Sequence, residues 1–422
     1  MNVIYDISPI GSDPDRRAGL ARVAESMAEQ LYRELGEHVS FAATGSLWAT
    51  LQTEEVLARR DGWRSALSGV GPLARWVHET QRNSAQYAKN ANGPGAYGAQ
   101  VADTLLTQVS RVLNVLRNPV DSDALRRADI FHSSYARIPR HVRRQLPENH
   151  LLTVHDLTPL VLGEKYFSSE QIGITRRIID SVQAGDWVVA VSESTKNDLC
   201  ERRPIDSERV FVAPNAASDD LFYPVADDQR IRAVRERYSI PEGRYLLSLH
   251  SMAPHKNVHR LVNAFREYVS QEQEPDIHLV LAGGLGQSLE EVCERLDLKQ
   301  ADLDRVQFTG FVPDEDLAPL YSGAEAFVFP SLYEGFGLPV LEAMQCGCPV
   351  IASNTASIPE VAGEAAILID PYDEEDLSSS ISKVRTDPKT RRRMSTLGIE
   401  QARKYSWSKR METVLGVYDQ II

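Results

Sequence analysis

The sequence predicts an α/β protein built from two parallel sheets, each covered by helices on both faces. Short runs of apolar, often β-branched residues alternate along the chain with longer amphipathic segments, which is typical of buried parallel strands joined by helices. These runs form two series with a turn-rich stretch between them. A length of 422 residues, at about 100–200 residues per domain, is compatible with this two-domain division.

The first series predicts six strands in an N-terminal domain over residues 1–220. The runs are VIYDIS, SFAAT, ADIFHSS, LLTVHD, WVVAVS and VFVAP, at 3–8, 40–44, 128–134, 151–156, 187–192 and 210–214. Residues of about 46–125 lack strand signals, and we expect a helical insertion there with a mobile loop over Asn90–Gly98. These helices are expected to pack on the first sheet, with docking to an acceptor or a membrane surface as the alternative.

The second series predicts six more strands in a C-terminal domain over residues 221–405. The runs are YLLSLH, HLVLAG, VQFTG, AFVFP, PVIAS and AAILID, at 245–250, 278–283, 306–310, 326–330, 349–353 and 365–370. The turn-rich stretch Pro214–Asp220 is the predicted linker. Residues 406–422 carry apolar side chains at helical spacing and are expected to form a helix that docks back on the first domain.

Composition narrows the class of protein. Lys and Arg total 46 against 59 Asp and Glu, a formal charge of −13, which argues against a main role in coating nucleic acid. The four cysteines are too few and too irregularly spaced for a disulfide framework, so a reducing compartment is expected. The start MNVIYDIS is strand-like rather than a secretory signal, and no apolar run approaches 18 residues. We therefore expect a cytoplasmic protein.

An anion-binding turn is predicted between the strand that ends at Pro330 and the next helix. The turn contains Gly335 and Gly337, and Pro339 lies in the first turn of the helix. Free backbone N–H groups and the positive end of the helix dipole would converge there. The sequence thus predicts a cradle for a phosphate group.

Two carboxylates flank this cradle. Glu334 lies in the loop and Glu342 lies about one turn inside the helix, with seven residues between them. A carboxylate beside a phosphate site is repulsive unless it binds hydroxyl groups, which a sugar nucleotide offers. On spacing alone, an equally good interpretation is that Glu334 caps the helix and Glu342 is solvated.

A second cluster follows the strand YLLSL. Lys256, at the start of a helix, could offer a positive charge to a diphosphate, although a single lysine is commonly just solvated. His255 and His259 share one helix face, but the sequence places no carboxylate or third ligand nearby. We therefore expect no metal site.

Four features of the first domain lie at the carboxyl ends of predicted strands, where ligands bind in open α/β sheets. Gly11 and Gly19 bound a loop after the first strand, and Arg22 follows in a helix where it could pair with phosphate or simply face solvent. His155 ends one strand, as a functional or a buried structural histidine. Ser192 ends another, where its hydroxyl could bind a ligand or cap the following helix.

Seven segments in order resemble the retaining, family-four glycosyltransferases of the two-domain GT-B fold. They are AVSESTK, VAPNAASDDLFYP, the P-H-K-N turn, LAGG, FTGFVPDEDLAPLYSGAEAFVFPS, the E-x7-E segment and YSWSKR. The resemblance covers nearly all of residues 190–410 and, more thinly, 1–30 and 128–190, whereas 46–125 matches nothing we know. It implies two Rossmann-like domains that face a cleft, with the donor bound by the second domain.

The resemblance also implies a role for each matching residue. Glu342 would hold the nucleotide ribose, Glu334 the donor sugar and Lys256 the diphosphate, while His155 would lie near the reacting sugar carbon. Catalytic roles are thus expected for His155, Glu334 and Lys256, and donor-binding roles for Gly11, Gly19, Arg22, Ser192, Lys256, Gly335, Phe336, Gly337, Leu338 and Glu342. The family retains anomeric configuration without a metal or other cofactor, by front-face attack in which the leaving phosphate takes the proton of the acceptor.

Two positions depart from the family pattern. His250 replaces a glycine, and His255 replaces an arginine, so one positive charge is lost or made pH-dependent. The segments VHDLTP and YSGAEAFVFPSLYEGFG are similar to those of bacterial mannosyl- and rhamnosyl-type transferases of surface polysaccharide synthesis. GDP-mannose is therefore the first donor we expect, with UDP- and dTDP-sugars as alternatives.

A hydroxyl of a glycan or lipid-linked molecule is the expected acceptor, and peripheral contact with the inner face of the membrane would suit it. Two other functions are compatible with the same architecture: a nucleotide-sugar epimerase, and a non-catalytic subunit that binds a nucleotide. A monomer and a homodimer fit the sequence equally well.

Overall fold

The computed structural model describes residues 1–12, 19–90, 103–110, 112–113, 117–249, 251–271, 276–284, 289–295, 298–299 and 303–422. Within these ranges the strands form two sheets, one of seven strands and one of six, and every strand pair in them is parallel. None of the helices described there is long and apolar enough to cross a membrane. The predicted α/β class with two Rossmann-like domains is confirmed.

The first sheet has the strand order β3-β2-β1-β4-β5-β6-β7. Its strands are β1 (Val3–Asp6), β2 (Val39–Ala42), β3 (Arg64–Ser65), β4 (Ile130–Ser133), β5 (His150–Val154), β6 (Trp187–Ala190) and β7 (Val210–Val212). Central strands such as β1, β4 and β5 are buried at every position, because helices cover both faces of the sheet.

Helices of the first domain connect these strands. They are α1 (Ser8–Ser12), α2 (Gly19–Leu35), α3 (Leu47–Ala58), α4 (Pro72–Asn90), α5 (Ser122–Arg127), α6 (Arg140–Gln145), α7 (Thr158–Leu162), α8 (Ser169–Ile179) and α9 (Glu193–Arg202). Residues 103–110 are also helical. The predicted loop over Asn90–Gly98 lies, beyond Asn90, outside the described residues.

The expectation that residues 46–125 contain no strand is wrong. Strand β3 pairs with β2 at the edge of the sheet, with Ser40 opposite Arg64 and Phe41 opposite Ser65. Both β3 residues are exposed and polar, so this two-residue strand carries none of the hydrophobic periodicity on which the prediction depends. The ring of the preceding Trp63 stacks on Phe41 at a centroid distance of 4.2 Å and anchors β3 there.

The second sheet has the strand order β10-β9-β8-β11-β12-β13. Its strands are β8 (Arg244–Leu249), β9 (Ile277–Ala282), β10 (Val306–Gly310), β11 (Ala326–Phe329), β12 (Val350–Ser353) and β13 (Ala366–Ile369). Its helices are α10 (Asp228–Arg237), α11 (Val258–Gln271), α12 (Leu289–Arg295), α13 (Asp314–Gly323), α14 (Leu338–Gln345), α15 (Ile358–Ala362), α16 (Glu374–Thr386) and α17 (Pro388–Ala402).

The last helix, α18 (Trp407–Ile421), packs on α2 of the first domain. Its buried side chains Met411, Val414 and Val417 join the apolar cluster that includes Val23 and Met27. The chain therefore passes between the domains twice, once between β7 and α10 and once between α17 and α18.

Candidate active site

A cleft with a volume of about 700 Å³ lies between the two domains. Side chains and backbone from both sheets line it, at the ends of the strands where parallel α/β sheets bind ligands. Nine of the predicted site residues line this cleft: Gly19, Arg22, His155, Lys256, Glu334, Gly335, Phe336, Gly337 and Leu338.

The predicted phosphate turn forms one wall of the cleft. Strand β11 ends at Phe329, and α14 begins at Leu338 with Pro339 in its first turn. Gly337 directly precedes α14 with a φ of 101°, which a residue with a side chain rarely adopts. A Cβ atom there would also lie 2.5 Å from Cδ1 of Ile358. The turn therefore brings the N-terminus of α14, with the N–H of Leu338 and the positive end of the helix dipole, to the cleft, while the N–H groups of Val340 and Leu341 donate to the carbonyl of Gly337.

Lys256 and Glu334 form an ion pair on this wall. The Nζ atom of Lys256 lies 2.6 Å from Oε1 of Glu334. The adjacent Asn257 fixes Lys256 in place, because its buried side-chain amide donates to the carbonyls of Pro330 (3.1 Å) and Pro371 (2.6 Å). The sequence analysis missed this role of Asn257, whose φ of 62° is the left-handed conformation that asparagine tolerates.

Glu342 is held behind the cleft rather than exposed in it. Its carboxylate accepts hydrogen bonds from Nη2 of Arg22 (2.9 Å) and from the hydroxyl of Tyr321 (3.2 Å). Burial raises the pKa of Glu342, and the positive charge of Arg22 opposes that shift. Arg22 also donates to Asp314, at 3.2 Å, a cleft residue that the sequence analysis missed. The predicted contact of Glu342 with a ribose stays a prediction.

His155 lies at the end of β5, on the wall that the first domain provides. Its ring meets the edge of Tyr135 at a centroid distance of 5.6 Å. Burial lowers the pKa of His155 to about 3, and the positive charge of Arg410 contributes to this shift. The imidazole is therefore neutral near pH 7, so it can donate one hydrogen bond and accept another from a hydroxyl group.

Gly335 connects the two walls. A Cβ atom on this residue would lie 1.9 Å from the carbonyl oxygen of His155, so only glycine permits this approach. The turn that carries Glu334 thus packs directly on the strand end that carries His155.

Besides Glu342, two predicted donor-binding residues do not line the cleft, Gly11 and Ser192. Gly11 lies in α1 against α3, where a Cβ atom would come within 2.1 Å of the carbonyl oxygen of Ala49, so packing explains this glycine. Ser192 caps α9, accepting from the N–H of Thr195 at 3.0 Å, and donates to the carbonyl of Gly335 at 2.7 Å. Most of the loop between Gly11 and Gly19 (13–18) lies outside the described residues.

His255 does not supply the positive charge that an arginine would. Its ring stacks on Phe167 of the first domain at a centroid distance of 4.8 Å. Burial, together with the neighbouring charge of Lys256, lowers the pKa of His255 to about 4, so the ring is neutral near pH 7. His250 is outside the described residues, and no group of three or more metal-ligating side chains occurs in the described ranges.

Two Rossmann-like domains that face a cleft, with a helix N-terminus and a lysine on the wall that the second domain provides, define a protein of the GT-B class. Two family models match consecutive parts of the chain: "Glycosyltransferase Family 4" at residues 18–221 and "Glycosyl transferases group 1" at residues 231–401. The chain therefore belongs to the group 1 glycosyltransferases. The predicted family is confirmed.

Curated relatives and solved structures agree with this assignment. The serotype-specific mannosyltransferase WbdA of Escherichia coli is 31% identical over 62% of this chain and 32% of its own length. The O-antigen chain mannosyltransferase B of Escherichia coli is 29% identical over 68% of this chain and 74% of its own length. The match thus spans about a third of WbdA. A glycosyltransferase from Rickettsia africae ESF-5 has the same fold, with a TM-score of 0.63, 17% identity and coverage of 100% of this chain and 98% of that one.

Proposed function

We propose that this protein is a retaining, metal-independent transferase that moves mannose from GDP-mannose to a hydroxyl of a glycan or lipid-linked acceptor. The observation that carries this proposal is the donor-side wall, where Lys256 and the N-terminus of α14 converge on one cleft. A diphosphate suits such a combination of a point charge and the positive end of a helix dipole.

The chemistry would depend on stabilising the leaving group. The bond between the sugar C1 and the phosphate oxygen breaks, the acceptor oxygen bonds to C1 on the same face, and its proton passes to the departing phosphate. Lys256 and Arg22 supply positive charge in the cleft, which stabilises the developing negative charge without a metal ion. Glu334 is paired with Lys256 at 2.6 Å, which suits a residue that orients sugar hydroxyls better than a free nucleophile.

The choice of donor is supported by the relatives, whose names are those of mannosyltransferases. Its test is an assay of the purified protein with GDP-mannose, UDP- and dTDP-sugars, and a panel of mannoside and lipid-linked acceptors in the presence of EDTA. We expect transfer from GDP-mannose, with the configuration at C1 retained in the product by proton NMR.

Each contrary result identifies a different function. An inverted product would contradict retention, and loss of activity in EDTA would contradict metal independence. Conversion of the sugar nucleotide without an acceptor would indicate an epimerase. Tight binding without turnover on any acceptor would indicate a non-catalytic subunit.

The first domain offers a surface for a lipid-linked acceptor or the membrane that carries it. Leu73 and Trp76 of α4 are 60% and 58% exposed. Further along the same polypeptide, Leu105, Val109 and Val112 are also exposed apolar side chains. Exposed apolar groups of this size are typical of contact sites. We propose that this surface makes peripheral contact with a membrane at the inner face, within the cytoplasm.

Vesicle sedimentation tests this contact. The Trp76→Asp variant should lose most binding to phospholipid vesicles, because a charge at the interface opposes insertion. Tyr372→Asp is the matched control, since Tyr372 is 53% exposed on the second domain. Equal binding by both variants would contradict the proposed contact.

A further inference from the structure

The first turn of α9, in the first domain, is completed by a residue of the second domain. The N–H groups of Glu193 and Ser194 donate to the two carboxylate oxygens of Glu360, each at 2.8 Å. The third N–H of the turn, that of Thr195, donates to Ser192. A helix N-terminus favours a carboxylate through both its free N–H groups and its dipole. Glu360 therefore stabilises α9 only while the two domains are in contact.

The same turn also holds the phosphate-binding loop. The hydroxyls of Ser192 and Thr195 donate to the carbonyl oxygen of Gly335, at 2.7 Å and 3.1 Å. Both side chains are buried, so these hydrogen bonds are shielded from water. The hydroxyl of Tyr333, two residues before Gly335, donates to Asp198 of α9.

This contact determines where the next amide points. In a trans peptide the carbonyl and the following N–H point in opposite directions. Because α9 holds the carbonyl of Gly335, the N–H of Phe336 is directed away from α9. Phe336 lines the cleft and belongs to the turn that leads into α14.

We propose that Ser192, Thr195 and Glu360 are positioning residues, forming a latch that holds the domains closed and orients the Phe336 amide toward the donor phosphate. This inference rests on the proposed function for its ligand, whereas the closing of the domains is independent of it. The latch couples closure to donor binding because the same turn makes both sets of contacts. If the closed state is less populated, the apparent donor affinity falls in proportion.

The test compares Glu360→Gln and the double variant Ser192→Ala/Thr195→Val with two matched controls. The controls are Glu364→Gln, an exposed glutamate one turn further along the chain, and Ser379→Ala, whose hydroxyl bonds only within its own helix. We expect the KM for GDP-mannose to rise about tenfold in both latch variants, with kcat changed less than about threefold. The controls should behave as the wild type.

Small-angle X-ray scattering without ligand gives a second readout. We expect a larger radius of gyration for Glu360→Gln than for Glu364→Gln. Glu360 is exposed, so its substitution leaves the core intact even if the double variant does not fold. Unchanged KM and unchanged scattering in Glu360→Gln would overturn the latch, and so would a lower melting temperature with no change in KM. If the wild type binds no sugar nucleotide, the proposed function fails while scattering still decides whether the latch exists.

Discussion

Glu334 and Glu342, the two carboxylates of the E-x7-E segment, each form an ion pair, but the two pairs differ in their exposure to solvent. Glu334 pairs with Lys256 of its own domain, and both side chains are about one-sixth exposed. Glu342 pairs with Arg22 of the other domain, and its side chain is only 2% exposed. The first pair lies wholly on the cleft wall, whereas in the second only Arg22 lines the cleft and Glu342 is buried behind it, in a contact that joins the two domains.

This difference indicates which pair can also bind a ligand. An ammonium group has three donors, so Lys256 can bind a phosphate oxygen while it keeps Glu334. Glu342 has no such freedom, because a buried carboxylate that loses its cation keeps the full cost of desolvation. The cleft-facing pair therefore suits catalysis, and the buried pair suits holding the two domains together.

The largest expected effect comes from removing the cation of the cleft-facing pair. In Lys256→Ala, kcat/KM for transfer should fall on the order of 10²–10³-fold, because the leaving diphosphate loses a charge within the cleft. The melting temperature should change little, since Glu334 remains partly solvated. Steady-state kinetics and thermal unfolding measure the two effects.

Lys383→Ala, at an exposed position of α16, is the matched control and should retain full activity. If Lys256→Ala kept wild-type turnover, or lost activity only by unfolding, Lys256 would not be the diphosphate residue.

Removing the cation of the buried pair should also lower stability. Arg22→Ala should lower the free energy of unfolding by about 2 kcal/mol at pH 8, because Glu342 is left charged and unpaired in the interior. Without Arg22 the pKa of Glu342 rises further above its unfolded value. The folded state then binds more protons than the unfolded state, so the deficit should shrink as the pH falls from 8 to 5.

Chemical denaturation at both pH values measures this change. The double variant Arg22→Ala/Glu342→Gln is the control, since it removes the buried charge and should recover part of the loss. A deficit that is the same at both pH values, or absent, would contradict the assigned role of the pair.

The sequence could predict that Lys256 and Glu334 each lie where a strand ends and a helix begins, but not that they pair, since they are 78 positions apart. The Gly-x-Gly turn, Pro339 and Lys256 act through local geometry, namely a strand end followed by a helix start, and such patterns are legible within about fifteen residues. The contact between Arg22 and Glu342 joins residues 320 positions apart. It depends on how the domains face each other, which no local pattern encodes.

The contact of Ser192 likewise depends on a residue far away in the sequence. Its position after a strand predicted a place at the ligand-binding edge of the sheet, and it does lie there, as the cap of α9. Whether its hydroxyl faces a ligand or another loop depends on Gly335, 143 residues away. Gly11 is a second example, because the carbonyl of Ala49, 38 positions away, leaves no room there for a Cβ atom.

The smallest expected effect tests the charge environment of the cleft-facing pair. His255 precedes Lys256, and its pKa of about 4 means that its charge appears only well below neutral pH. Donor affinity, measured by calorimetry, should therefore show no step from this residue between pH 8 and pH 5.5.

In His255→Arg the guanidinium can keep the stacking on Phe167 and adds a permanent charge, which should tighten donor binding about threefold. His38→Arg, at an exposed site of the first domain, is the control for net charge and should leave affinity unchanged. Marked tightening in the wild type as the pH falls to 5.5 would show instead that a histidine near the donor becomes charged, and the two pairs would then differ less than their burial indicates.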